Sequence, residues 1–193
     1  YRNLLINKIS KNNQIITIAP FDQSSRELSK NSIFIPWNIR RKNDSNLISF
    51  IISVIKLMLL IRALKPKLIH SHTLKTNLIS SFVSALYGIP CILSFAGMGR
   101  LSKGKGLKLM VFKNLLKLIS YFSLRKRVTR WSMNIFPHRS TLIFQNPIDM
   151  RFFEEVVPNF YKDSITLIPG SGLPKKYTSD KKAKNKWSIK EID

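Results

Sequence analysis

KLIHSHTLKTNLISSFVSALYGIPCILSF, residues 67–95, decides the fold. It opens on a short β-prone run, Lys67-Leu-Ile-His70. A helical segment follows from Thr73 to Tyr87, and Gly88 stands where a helix stops in a left-handed turn. Pro90 to Phe95 is an apolar run, the pattern of a strand covered on both faces inside a parallel sheet. Two strands joined by a helix and short connections make a parallel pair with a crossover.

The alternation continues in both directions. Upstream, Leu4 to Ser10 reads as helix, Gln14 to Ala19 as a strand ending at Pro20, and Ser24 to Lys30 as a short helix capped by Ser24. Ser32 to Ile35 is another short strand, and Asn46 caps a long helix that Lys65-Pro66 ends near Leu64. Downstream, a glycine-bearing loop runs from Ala96 to Gly106, then a helix from Leu107 to Arg127. Thr141–Phe144 reads as strand, Ile148–Val156 as helix and Ser164–Ile168 as a last strand. The expected fold is α/β, a parallel sheet with helices on both faces. Residues 1–172 are expected to form one domain, incomplete at its start because no strand precedes the opening helix. Residues 173–193 form a basic, polar tail, expected to be poorly ordered.

With 193 residues, 44% of them hydrophobic, the chain suits a globular domain and excludes disorder. Its net charge is +23, from 33 Lys and Arg against 10 Asp and Glu. No acid stands between Asp44 and Asp149, so the cations there make a strong positive field. Such a field suits an anionic membrane face, a phosphorylated substrate or nucleic acid. A Lys-, Asn- and Ile-rich composition is also what drift toward AT-rich codons produces. The single cysteine, Cys91, lies in an apolar run and reads as a small buried hydrophobe. A disulfide within the chain is thereby excluded, which fits a reducing compartment. Leu47 to Leu64 is apolar enough to suggest a membrane span, but Lys56 and Arg62 interrupt it, and a buried amphipathic helix is the expectation.

Ligands of open α/β sheets bind at the carboxyl ends of the strands. Three loops fall there. In the first, His70 and His72 alternate, so an extended backbone turns them to one side. Thr73 is placed to cap the next helix, with Lys75 and Asn77 in its first turn, where an anion is favoured. Paired histidines after a strand are also common as structural hydrogen-bonding groups, and no third ligand for a metal is in view. In the second loop, Gly97 and Gly99 allow close backbone approach, free amides there suit a phosphate, and Arg100 suits a bidentate clamp. The third, Ile168-Pro-Gly-Ser-Gly-Leu173, is a flexible turn where a domain ends. Separately, the helix from Leu107 shows Lys113, Lys117 and Ser120 in a narrow polar stripe. Leu109, Phe112, Leu115, Leu116, Ile119 and Phe122 surround it, and the helix ends in Arg125-Lys126-Arg127. A basic helix with bulky apolar residues suits an anionic bilayer surface, and equally a core helix with solvated lysines.

Together, PKLIHSHTLKTN, GIPCILSFAGMGRL, LIFQNPIDMRFF and LIPGSGL, with IAPFDQSS and FIPWNIRRKN ahead of them, resemble the N-terminal domain of family-four glycosyltransferases, of the kind that builds bacterial surface polysaccharide. The resemblance runs from about residue 1 to about residue 176. It implies the N-terminal half of a GT-B fold: a Rossmann-like domain, here without its first strand, that receives the acceptor. The donor nucleotide-sugar, a substrate rather than a cofactor, belongs to a second domain. The implied activity is retaining transfer of a sugar, of hexosyltransferase type, onto a polyprenyl-linked or other glycan acceptor in lipopolysaccharide or capsule synthesis. The implied location is the cytoplasmic face of the plasma membrane, held peripherally. Thr73, Lys75, Asn77, Gly97, Gly99 and Arg100 are then acceptor-binding, and His70 and His72 line the cleft. Lys113, Lys117, Arg125, Lys126 and Arg127 meet the membrane, and no metal or cofactor is implied.

The chain departs from the family at Lys67, where Asp is common, and at Ala96, where some relatives hold a catalytic His. It departs again at Leu173-Pro174, where Val-Asp is usual. This chain alone is therefore expected not to be catalytically competent. The alternative is a non-catalytic basic α/β module for a membrane surface or nucleic acid. Against nucleic acid, the aromatics do not interleave with the cations as a stacking platform needs.

Overall fold

The structure is a computed structural model that describes residues 2–22, 25–37, 47–98, 102, 104–124, 140–158 and 164–168. Backbone contacts divide the chain into two compact units, Tyr1–Phe50 with Ser171–Asp193, and Ile51–Gly170.

The first unit holds α1 (Arg2–Ile9), β1 (Ile16–Ala19), α2 (Ser25–Leu28) and β2 (Ile33–Pro36). β1 and β2 pair in parallel, with Ile16 opposite Ile33 and Ala19 opposite Pro36. The short crossover is pinned by hydroxyls. Thr17 Oγ1 donates to Ser32 Oγ at 2.7 Å, and Ser32 Oγ donates to the Leu28 carbonyl at 2.7 Å. The Ser24 expected to cap α2 lies outside the described residues. Ser25 takes part in that turn instead, accepting the Asp22 N–H at 2.7 Å.

The second unit takes in α3 (Leu47–Leu64) from Ile51 onward and then a four-stranded parallel sheet, β3 (Ile69–His72), β4 (Cys91–Phe95), β5 (Thr141–Phe144) and β6 (Ile165–Leu167). Its strands lie in sequence order, connected by α4 (Leu74–Tyr87), α5 (Leu107–Leu124) and α6 (Pro147–Val156). Right-handed crossovers between consecutive neighbours place their helices on the same face. The core agrees with that rule. Cys91, Leu93 and Phe95 of β4 and Leu142 and Phe144 of β5 pack with Phe112, Leu116 and Ile119 of α5 and Phe153 and Val156 of α6, and Leu74 and Leu78 of α4 join them. The expectation of α/β architecture with parallel strands flanked by helices holds.

Local signals explain the boundaries. Gly88 ends α4 in the left-handed region (φ +70°), and its N–H bonds back to the Ser84 carbonyl. Asn146 caps α6 by accepting the Ile148 N–H at 2.8 Å, with Pro147 at the first helical position. α3 is only partly the buried helix expected. Leu57 and Ile61 are buried, while Ile51, Ile52, Ile55 and Leu59 are exposed. Among the described residues no helix is long and apolar enough to cross a membrane.

Cys91 is fully buried, and its thiol donates to Ser140 Oγ at 3.2 Å. Burial pushes the thiol pKa up, the hydrogen bonds to Ser140 and Ser84 opposing it. A native thiol should therefore react with Ellman's reagent only as fast as the second unit opens. A raised folded pKa stabilises below the unfolded thiol's range, about 8.5. That contribution is lost as pH climbs through the folded value. Urea midpoints between pH 7 and 10 should fall for the wild type and fall less for Cys91→Ala.

Candidate functional site

The carboxyl ends of β3 and β4 lie side by side, since His72 is the register partner of Ser94. Whatever follows the two strands therefore meets at one edge of the sheet. In parallel neighbours, paired residues share a face. His70, His72 and Ser94 accordingly lie on the face away from α4, α5 and α6. The imidazole rings approach to 4.3 Å between centroids at a 38° tilt, and His70 Nε2 lies 2.9 Å from Ser94 Oγ. Among the described residues no three of His, Cys, Asp or Glu come together as a metal would need.

Thr73 and Lys75 are exposed at the start of α4. Thr73 occupies the N-cap position, yet its side chain makes no cap bond to the helix. Its Oγ1 lies 3.0 Å from Thr76 Oγ1, and Thr76 Oγ1 also donates to the carbonyls of His72 and Thr73. The reason for the failed cap is the backbone, φ +83° and ψ +148°, where a residue with a Cβ is strained. Such positions cost about 1–3 kcal/mol. Thr73→Gly should release that strain against a smaller entropic cost. The net expectation is about 1 kcal/mol of stabilisation, read as a higher urea midpoint with an unchanged slope.

Asn77 does not belong to an open site. It is fully buried, its Oδ1 accepts from Ser71 Oγ at 2.7 Å, and its Nδ2 donates to the Ser94 carbonyl at 3.1 Å. Both ends of the amide are used to tie α4 to β3 and β4. Its expected contact with an acceptor is corrected on that ground.

After β4 the chain turns at Ala96 and Gly97, both exposed. Gly97 has φ +134°, a value open to glycine and strained for any other residue. A Cβ there would meet Asp149 Oδ2 at 3.9 Å, so conformation rather than space demands the glycine. Met98 then turns inward, 5% exposed, and its N–H donates to Asp149 Oδ2 at 2.9 Å. The Met98 amide is thus already taken and is not one of the free amides expected to cradle a phosphate. Gly99 and Arg100 lie outside the described residues, as do 169–173 in the third loop and Arg125, Lys126 and Arg127.

On α5, Lys113 and Lys117 are exposed as expected, but Ser120 is buried. The apolar residues beside the lysines at the surface are Leu107, Met110, Val111, Leu118 and Tyr121. Of the stripe read from the sequence, Phe112, Leu116 and Ile119 face the core. Leu109, Leu115 and Phe122 are partly buried beside them, so the faces read from sequence periodicity hold, with Ser120 the exception.

Asp149 and Ser71 had no place in the expected site. One signal pointed to Asp149: it is the first acid after the long stretch that begins at Asp44, and it stands in the first turn of a helix.

No curated protein matches the chain. A family model described as glycosyl transferase 4-like matches residues 1–127, which includes β3, α4, β4, the Gly97 turn and α5. The chain therefore belongs to the glycosyl transferase 4-like family, and its α/β architecture is that of a transferase domain.

Proposed function

We propose that this chain supplies the acceptor side of a retaining sugar transfer, in which the acceptor is a glycan carried on a polyprenyl pyrophosphate and the product enters surface polysaccharide. The observation that carries the reading is the single sheet edge where exposed Thr73 and Lys75 of the β3–α4 turn lie beside the exposed Ala96–Gly97 turn after β4. A cation and the positive end of a helix at a strand's carboxyl end favour a phosphate. In retaining transfer the departing nucleotide diphosphate carries the developing charge. Groups that stabilise it belong, in this reading, to a second domain of the family's architecture. The residues described here receive and orient the acceptor.

The outward face of α5 supports placement on the inner face of the plasma membrane. Exposed Leu107, Met110, Leu118 and Tyr121 stand among exposed Lys108, Lys113 and Lys117. Apolar side chains there enter the interface while lysines meet anionic headgroups, at about 1 kcal/mol per cation.

One flotation experiment tests both parts. Vesicles of phosphatidylglycerol and phosphatidylethanolamine are prepared with and without a polyprenyl-pyrophosphate-linked sugar. Lys113→Gln/Lys117→Gln is expected to lose about 30-fold in partition to both vesicle types, from about 2 kcal/mol of lost attraction. Lys75→Gln is expected to lose about tenfold only where the sugar-lipid is present, the worth of one charge-assisted hydrogen bond. Partition indifferent to the sugar-lipid would leave a membrane-surface module without an acceptor.

A further inference from the structure

Among the described residues Asp149 is the one charged side chain that is buried, at 4% exposure. Two groups make that burial tolerable. It sits in the first turn of α6, where the helix dipole favours a negative charge, and it accepts the Met98 N–H at 2.9 Å. The contact spans 51 residues of sequence and joins two crossovers, α6 and the loop between β4 and α5. Met98 is anchored a second way, with its side chain in the core cluster around Phe95 and Phe153. Between Phe95 and Met98 the chain has only Ala96 and Gly97, the latter at φ +134°. Fixing Met98 therefore fixes the turn.

We propose that Asp149 is the positioning residue of the candidate acceptor site. Its carboxylate occupies the anion position at the start of α6 and holds the Ala96–Gly97 turn at the height of Thr73 and Lys75. The role as a site residue rests on the acceptor reading; the latch itself does not.

The test follows backbone amides of the full chain by nitrogen-edited NMR, with hydrogen exchange and with inorganic pyrophosphate as probe at 150 mM salt, about an 8 Å screening length. Asp149→Ala should make the Met98 amide exchange at least tenfold faster while the amides of β4 and α4 keep their protection. The same variant should weaken the pyrophosphate response at Lys75 and Gly97 about tenfold, a hydrogen bond's worth of lost order. Asp149→Asn, whose amide oxygen accepts the same N–H, should stay within about threefold of wild type in both readouts. Gly97→Ala leaves the carboxylate in place and strains the turn, and should reproduce the loss of response. It also decides the matter if Asp149→Ala does not fold. Unchanged Met98 exchange in Asp149→Ala, or a wild-type response in both Asp149→Ala and Gly97→Ala, overturns the proposal. If wild type itself shows no response to pyrophosphate, the acceptor reading falls, and Met98 exchange alone decides whether the latch exists.

Discussion

Phe144→Ala is expected to lower the stability of the second unit by about 3–5 kcal/mol, the cost of deleting a fully buried phenylalanine from a core that cannot close over the gap. Phe144 is fully buried at the end of β5. Its ring stacks on that of Phe95, its register partner on β4, at 5.0 Å between centroids and 7°. It also meets Phe153 of α6 at 5.3 Å, a ring that lies 6.4 Å from Phe95 as well. Truncation removes ring area from two strands and a helix together, so no single neighbour can move to fill the space. Domains of this kind have about 5–15 kcal/mol to lose, so much of the folded population is at stake. Ile143 makes the control. It lies one residue away on the opposite face and is only half-buried. Ile143→Ala should cost clearly less. Urea unfolding followed by circular dichroism at 222 nm measures both, since α3 to α6 dominate that signal. Equal losses would mean that the sheet face toward the helices is not the tightly packed one.

The contrast between Phe144 and Ile143 shows what the sequence made legible. Thr141-Leu-Ile-Phe144 announces a strand by β-branched and aromatic content, and its bounds are found as expected. Which of its alternate residues faces a core depends on three crossovers of one hand, and that is a property of the strand order. The same limit acted at β3. Apolar content placed the strand at Lys67–His70, whereas it runs Ile69–His72. The polar pair Ser71-His72 belongs to it because Leu93 and Ser94 of β4 pair with them. Gly88 was decisive from sequence alone, since a left-handed helix end is a local demand. Thr73 misled for the opposite reason. Threonine before a helix suggests a cap, and here the tight passage from β3 into α4 sets a backbone that the side chain cannot serve. The candidate site divides in the same way. Residue type and position after a strand singled out Lys75 and Gly97, and both are exposed. Asn77 was read as an open amide, and the Asp149–Met98 hydrogen bond was not foreseen. Their partners lie 17 and 51 residues away, and periodicity carries nothing over such distances.

Asn77 gives the sharpest separation between holding the fold and binding a ligand. Its amide is the middle of a chain in which Ser71 Oγ donates to Asn77 Oδ1 and Asn77 Nδ2 donates to the Ser94 carbonyl. All three residues are buried, and water cannot replace a lost partner without entering the sheet–helix interface. Asn77→Ala leaves a hydroxyl and a carbonyl unpaired there, each worth about 1–3 kcal/mol, so a loss of about 3 kcal/mol is expected. Ser71→Ala alone strands one lone pair of Asn77 and should cost about 1 kcal/mol. The double variant should be less destabilised than the sum of the two, because removing both ends of a buried hydrogen bond leaves less unsatisfied than removing one. If Asn77 contacted an acceptor, the pattern would invert: Asn77→Ala would leave urea midpoints nearly unchanged and weaken binding of the sugar-lipid. Burial and full occupancy of the amide favour the first outcome. The helix that presents Lys75 is then held to β3 and β4 by this tie, so Asn77→Ala should disturb binding only as far as it loosens α4. Hydrogen exchange across α4, measured beside vesicle partition in the same variant, reads the two effects separately. An Asn77→Ala protein with native exchange and native midpoint, yet without response to the sugar-lipid, would return Asn77 to the site.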